Sequence, residues 1–371
     1  MEKAKRQSNF ELLRIFAIIL IILYHIQRYG SQPLLTGSYG YFSTPEIDPR
    51  LLVFEIGGPF GGIGNGLFIM ISGYFMNASL HIDTGKIAKK LMLQLGFAVT
   101  VLIIANAVWV TFFKNENLSL EMATIGDFNN GWWFIGYYFL VILLAKLFLN
   151  GFTAKLTQTQ FKALLLTILA VSQFGWSGTF FESFATGALT LLIGVFYFLT
   201  GGYIARYNPF ENLRAYTFIL TIAAAYGLRF ISAYNIASQA IDEFIKSNAG
   251  GNFVHSVQGY SNHEITVVII VVCIFELFRR LNIPYNAVIN FIGKSTLMIY
   301  FIHENGIFRM FFKNEHWMEL LRGNVLAYGL KWLEWAAIGF AVGLAAYVVY
   351  TLLGKLLPRM RSLFVVQKSA D

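Results

Sequence analysis

The chain has 371 residues, of which 56% are hydrophobic, 17% aromatic and only 13% charged. A soluble domain of this size carries about twice that charged fraction, which excludes the soluble globular class. The net charge is +8, but the positive residues cluster in alternate short loops, a membrane-topology pattern and not a nucleic-acid surface.

The expected fold is all-α, a polytopic membrane helix bundle. A span needs about 20 apolar residues. Ten segments qualify, at roughly 10–29, 60–79, 91–113, 132–150, 161–177, 187–206, 215–234, 264–281, 286–312 and 327–353. Lys3, Lys5 and Arg6 precede the first. Every second loop is again basic, with Lys86, Lys89 and Lys90, then Lys155, then Arg206 and Arg214, then Arg279 and Arg280. The tail adds Lys355, Arg359, Arg361 and Lys368. The intervening loops are acidic or mixed, with Glu46, Asp48 and Glu55, then Glu116, Glu121 and Asp127, then Glu182, then Asp242 and Glu243. The ninth loop mixes Lys313, Glu315 and Arg322. This alternation predicts an even span count with both termini cytoplasmic.

Lys3, Lys5 and Arg6 before an apolar run imitate a signal peptide. The run is too long and no Ala-x-Ala-like site follows, so a retained first span is expected. A single membrane domain over 1–371 is expected, with no appended soluble domain. Two outer loops are long, about 30–59 and 235–263, a length typical of binding loops and lids. Cys273 is the only cysteine and has no disulfide partner in the chain. No P-loop, GxSxG, HExxH or paired-Cys signature is present, and no metal is expected.

The first span carries Arg14 and His25. A fixed positive charge at the centre of such a helix costs roughly 2.5–3.5 kcal/mol on insertion scales. Residues kept there at that cost usually face a protein interior or a watery cavity. With a 1.5 Å rise, Arg14 lies roughly 9 Å to the cytoplasmic side of the span's midpoint and His25 roughly 8 Å to the outer side. His303 and Glu304 in the ninth span lie roughly 6–8 Å outside its midpoint. The eighth span opens at the outer surface with His263 and Glu264, and the fourth with Trp132 and Trp133. A polar cluster at one outer level is expected: His25, His303 and Glu304, with His263 and Glu264 above.

Plainer roles fit the same residues. A lone histidine within the membrane is often a helix-to-helix hydrogen bonder. Glu304 can pair structurally with Arg28 or Arg309. Trp132 and Trp133 suit an interfacial aromatic belt. Lys86, Lys89 and Lys90 suit either a topology signal or an anionic ligand. His81 and His316, near or in loops, receive no role.

Four motifs in chain order resemble the acyltransferase-3 family, in particular its Gram-positive members linked to cell-surface polysaccharide. The first is Arg14 and His25, with ten residues between them, inside a helix that begins Asn9-Phe-Glu-Leu-Leu-Arg14. The second is Leu67-Phe-Ile-Met-Ile-Ser-Gly-Tyr74. The third is Trp133-Phe-Ile-Gly-Tyr-Tyr138. The fourth is Ser295-Thr-Leu-Met-Ile-Tyr-Phe-Ile-His-Glu-Asn305. Family members often carry Arg in the loop after the Ser-Gly-Tyr motif. This chain has lysines there, which bind phosphate as point charges without Arg's bidentate fork.

The resemblance implies a multi-pass O-acyltransferase of a bacterial cytoplasmic membrane. Its donor substrate would be an acyl-CoA, most often acetyl-CoA, and its acceptor a hydroxyl of a carbohydrate, either extracytoplasmic or lipid-linked. His25, oriented by Glu304 or another carboxylate and accompanied by His303, would be the general base. Arg14 would hold the CoA side, and Lys86, Lys89 and Lys90 would meet the nucleotide phosphates. Trp133, His263, Glu264, Tyr74 and Tyr300 would line the acceptor side. The expected partners are membrane lipid, acyl-CoA and the carbohydrate, with no nucleic acid. The oligomeric state is open, a homodimer being one option. A glycan transporter or polymerase, or a non-catalytic member of a surface-polymer machine, are the competing classes. Neither explains four ordered motifs.

Overall fold

The computed structural model describes residues 7–36, 42–113, 132–174, 182–247, 253–255 and 264–367. Helices account for nearly all of them, and no strand occurs among the described residues. The Ile- and Leu-rich first segment forms α1, Ser8–Ile26, and passes through a π turn, Gln27–Ser31, into a 3-10 turn, Gln32–Thr36. A short helix α2, Leu52–Gly57, leads into α3, Phe60–Met76, and then α4, Thr84–Phe113. Helix α5, Trp133–Leu144, continues through a π turn to Thr153. There follow α6, Gln158–Phe174, α7, Glu182–Tyr207, and α8, Ala215–Ser247. The chain then forms α9, Ile265–Arg279, and α10, Ala287–His303. It closes with α11, Gly306–Lys313, α12, Trp317–Gly323, and α13, Val325–Gln367.

This is a polytopic membrane helix bundle, and among the described residues each of the ten expected spans overlaps a helix. Seven are long and apolar enough to cross a bilayer by themselves. The other three, α6, α9 and α10, have 17, 15 and 17 residues. At 1.5 Å per residue, 17 residues reach roughly 25 Å, short of a hydrocarbon core of about 30 Å. Most of α9 is buried, and α10 ends at buried polar groups. Helix α9 begins after Glu264, which pairs with Arg229, and α10 stops at His303 and Glu304.

Two expectations need correction here. The ninth span is not one helix over 286–312. Glu304 leaves helical geometry with φ −93° and ψ 69°, and Asn305 caps α11 by accepting the Phe308 N–H at 3.0 Å. The apolar run continues through this break, so hydropathy alone does not reveal it. The two long outer loops are also partly helical, because α2 lies within the first and α8 extends to Ser247. They touch where Phe253 N–H donates to Ser43 O at 3.3 Å and His255 Nε2 lies 3.2 Å from Thr44 O.

Helices α1 and α10 run parallel in fixed register. The Asn286 N–H donates to Ser8 Oγ at 2.8 Å at one end, and His25 contacts His303 at the other. Both pairs are separated by 278 positions. Helix α13 lies across α10 because Gly343 admits the Ile299 backbone: a Cβ there would stand 2.6 Å from Ile299 Cα.

Helices α3 and α7 approach closely through Gly73 and Gly201. A Cβ on Gly73 would overlap the Phe198 carbonyl, and one on Gly201 would overlap the Met70 carbonyl. Small residues at such crossings drive association where lipid supplies no hydrophobic force. Gly73→Ala should therefore destabilise the bundle by about 1–3 kcal/mol, as overpacking does. Gly151→Ala, where an added Cβ meets nothing within 4 Å, should not. Thermal unfolding of the two variants in detergent checks this. Equal midpoints would contradict the crossing.

Candidate active site

The depth estimate for His25 and His303 becomes a direct contact. His25 Nδ1 lies 2.9 Å from His303 Nε2 and 2.7 Å from Glu304 Oε2. The two imidazoles are stacked with centroids 5.2 Å apart. His303 Nδ1 is 2.7 Å from the Ile299 carbonyl. A carbonyl only accepts, so this Nδ1 bears the proton, and in the neutral ring Nε2 keeps its lone pair. His25 Nδ1 thus faces two acceptors, His303 Nε2 and the Glu304 carboxylate, and carries the proton itself. The lone pair of His25 is left on Nε2, the opposite edge of the ring.

Glu304 is held on every side. Its Oε1 accepts from the Arg309 guanidinium and from the Tyr29 hydroxyl at 3.3 Å. The Arg309 guanidinium also stacks 3.7 Å above the Tyr29 ring. Of the two basic residues considered as partners, Arg309 is the one used, and Arg28 is exposed. The helix break makes this possible: it turns Glu304 back towards α1 while α11 carries Arg309 round to meet it. The carboxylate is therefore placed to orient His25 and to stabilise its imidazolium, not to take a proton from a substrate.

The three side chains also form a cluster of metal-ligand type, with one ligand atom from each lying within 4.8 Å of the others. Atoms around a tetrahedral zinc stand roughly 3.3 Å apart, given bonds of about 2.0–2.1 Å. The contacts of 2.7 and 2.9 Å are shorter and have hydrogen-bond lengths.

One cavity adjoins the cluster, and a second shares lining residues with the first. The outer one, about 220 Å³, is lined by His25 and Glu304 together with Tyr24, Tyr29, Asn65 and Trp133. The inner one, about 260 Å³, is lined by Arg14, Lys90 and Lys294, with Ser72 and Tyr138 on its wall. The Ser72 and Tyr138 hydroxyls are hydrogen-bonded at 3.1 Å. Ile21, Phe134 and Tyr300 line both cavities. These three side chains form a partition between the Arg14 end and the His25 end, and the Phe134 and Tyr300 rings meet edge-on at 6.1 Å. Arg14 pairs with Glu11 at 2.5 Å, one turn earlier on α1.

The remaining expected residues divide. Trp133 lines the outer cavity and is 42% exposed. Its neighbour Trp132 is buried edge-on against Phe301. Lys90 reaches the inner cavity, whereas Lys86 and Lys89 are exposed on α4 and line neither cavity. Tyr74 belongs to an aromatic cluster with Phe10, Phe75 and Phe275 and also lines neither. Glu264 is bound by Arg229 and by the Thr266 hydroxyl, away from the cavity. His263 lies outside the described residues.

Several residues were not anticipated: Asn65, Tyr24, Tyr29, Lys294 and Arg229. Arg229 was discoverable, as a charge in the apolar seventh span at the outer depth of Glu264. Its guanidinium is fully buried and also reaches Glu55 at 3.4 Å, tying α8 to α2 and to the start of α9.

An acyltransferase-3 family model, described as an acyltransferase domain, matches residues 7–354. The chain belongs to the acyltransferase-3 family. No curated protein and no solved structure matches it. Membership makes the chain an acyltransferase of a multi-pass membrane family, and the matched stretch contains both cavities and the partition between them.

Proposed function

We propose that this acyltransferase takes an acyl group, in the first place acetyl, from cytoplasmic acyl-CoA and transfers it to a carbohydrate hydroxyl on the outer side. The observation that carries this reading is the commitment of His25 Nδ1 to His303 and Glu304, which leaves the Nε2 lone pair unused on a ring that lines the outer cavity. A sugar hydroxyl is a poor nucleophile at neutral pH. A positioned neutral imidazole that removes its proton during attack contributes roughly 10²–10⁴ in rate.

The inner cavity suits the donor. Arg14, Lys90 and Lys294 make its wall cationic, as phosphates and pantetheine amides require. The arm would reach the partition of Ile21, Phe134 and Tyr300, where its thioester meets the outer cavity. About 220 Å³ there must hold both the acyl group and the attacking hydroxyl, which favours a short acyl chain. The acceptor would enter beneath the outer segments that meet at Ser43–Thr44 and Phe253–His255, and Trp133 at the mouth offers a face for a sugar ring. Direct transfer needs no covalent intermediate on the protein.

Purified protein given labelled acetyl-CoA and surface glycan should form a labelled ester. Failure to consume acetyl-CoA with any acceptor fraction would sink the reading. Arg14→Ala should raise KM for acetyl-CoA by roughly 10–100-fold, the loss expected for a hydrogen bond to a charged group. The KM for the acceptor should hold, and steady-state kinetics with each substrate varied separates the two. An unchanged donor KM would remove Arg14 from the donor site.

A further inference from the structure

One polar side chain in the outer cavity has no part in orienting His25. Asn65 lies on α3 within Phe60-Gly-Gly-Ile-Gly-Asn-Gly-Leu67 and is only 8% exposed. No hydrogen bond from the protein engages its side-chain amide among the described residues. Asn65 lines the outer cavity, and native structures leave polar groups without a protein partner mainly where a ligand, ion or water completes them. Two other polar groups of this cavity have protein partners. Glu304 holds Arg309, Tyr29 and His25, and Tyr300 is bonded to the Phe134 backbone.

The packing of α3 explains why Asn65 faces the cavity. Gly64 sits against Ile21, where an added Cβ would stand 2.7 Å from the Ala17 carbonyl. Ile21 is one helical turn before His25 on the same face of α1. Asn65, the next residue along, therefore enters the cavity from α3 at the level of the partition. Gly61, one turn earlier on α3, lines the same cavity with no side chain and leaves space beside the amide.

We infer that Asn65 is a catalytic residue that donates from Nδ2 to the thioester carbonyl oxygen and holds its negative charge in the tetrahedral intermediate. This rests on the acyl-CoA reading. His25 Nε2 takes the proton of the acceptor hydroxyl as its oxygen bonds to the thioester carbon. The carbonyl π pair moves onto oxygen, where Asn65 Nδ2–H meets it. The C=O re-forms, the C–S bond breaks, and the departing thiolate takes the proton from His25 Nε2. The products are the ester and free CoA thiol, with His25 neutral again. A donor fixed before reaction in a water-poor site acts most strongly on charge that appears only in the transition state.

The rival role for Asn65 is a grip on the acceptor, and acceptor-free hydrolysis of acetyl-CoA separates the two. With water as nucleophile, an oxyanion donor still matters and an acceptor grip does not. Asn65→Ala and Asn65→Asp should lower kcat for both transfer and hydrolysis by about 10²–10³-fold, with KM for acetyl-CoA little changed. Asn65→Gln, which keeps an N–H donor, should retain part of both rates and so guards against a folding defect in the other two. Wild-type hydrolysis in Asn65→Ala, with only the acceptor KM raised, would overturn the inference and make Asn65 an acceptor contact. Wild-type rates in both assays would overturn it outright. A wild-type protein that neither transfers nor hydrolyses acetyl-CoA would instead overturn the donor reading, and the inference with it.

Discussion

Replacing His25 by alanine should reduce acyl transfer by about 10²–10⁴-fold or more, with the helix bundle intact. His25 lines the outer cavity with its Nδ1 already committed, so Nε2 is the nitrogen left to act there. His303 cannot substitute, because its Nδ1 is held by Ile299 and its Nε2 faces His25. The substitution also leaves His303 Nε2 and Glu304 Oε2 without their shared donor, which costs about 1–3 kcal/mol for a buried group. His25→Gln is the companion variant, because its amide can still donate to both. Turnover of labelled acetyl-CoA, measured beside thermal unfolding, should show both variants folded and both inactive. Full activity in either would remove His25 from the chemistry.

Glu304→Gln should lower transfer by about 10²–10⁴-fold, within the range of the Asp-to-Asn change in the serine protease triad, where the wrong tautomer costs about 10⁴. The carboxylate accepts from Arg309 on one oxygen and faces His25 Nδ1 with the other. An amide cannot do both. If its NH2 turns to His25, the ring proton moves to Nε2 and the base becomes a donor. If its NH2 turns to Arg309, two donors oppose each other in a buried site. Residues acting as one unit show strongly non-additive losses. The double variant His25→Ala, Glu304→Gln should therefore be no slower than His25→Ala alone. A multiplied loss would show that Glu304 acts apart from His25.

The all-helical membrane bundle, and the level shared by His25, His303 and Glu304, could be read from hydropathy and helical rise. Those properties act locally along the chain, so one sequence suffices to see them. The parallel register of α1 and α10 could not be read, although its consequence, two histidines in contact, followed from depth. The break at Glu304 was hidden because Ile307, Phe308, Phe311 and Phe312 continue the apolar signal past it. Asn65 was hidden for a similar reason, as one amide in a glycine-rich apolar run. Glu264 was placed near the acceptor because only its depth was considered. Its partner Arg229 lies 35 positions earlier, and the pairing depends on how α8 packs on α9. Tyr74 marked a motif, and packing with Phe10 and Phe275 now accounts for it.

The central claim is that one acyl group passes from a donor at the Arg14 end to an acceptor at the His25 end. Oriented vesicles carrying the protein test it most directly. Labelled acetyl-CoA, which does not cross the bilayer, is placed on the Arg14 side alone, and a glycan acceptor on the His25 side alone. The predicted result is labelled ester on the His25 side, lost in His25→Ala, with no ester when donor and acceptor are exchanged. Ester formed only when both substrates share one side would contradict a transfer path through the two cavities.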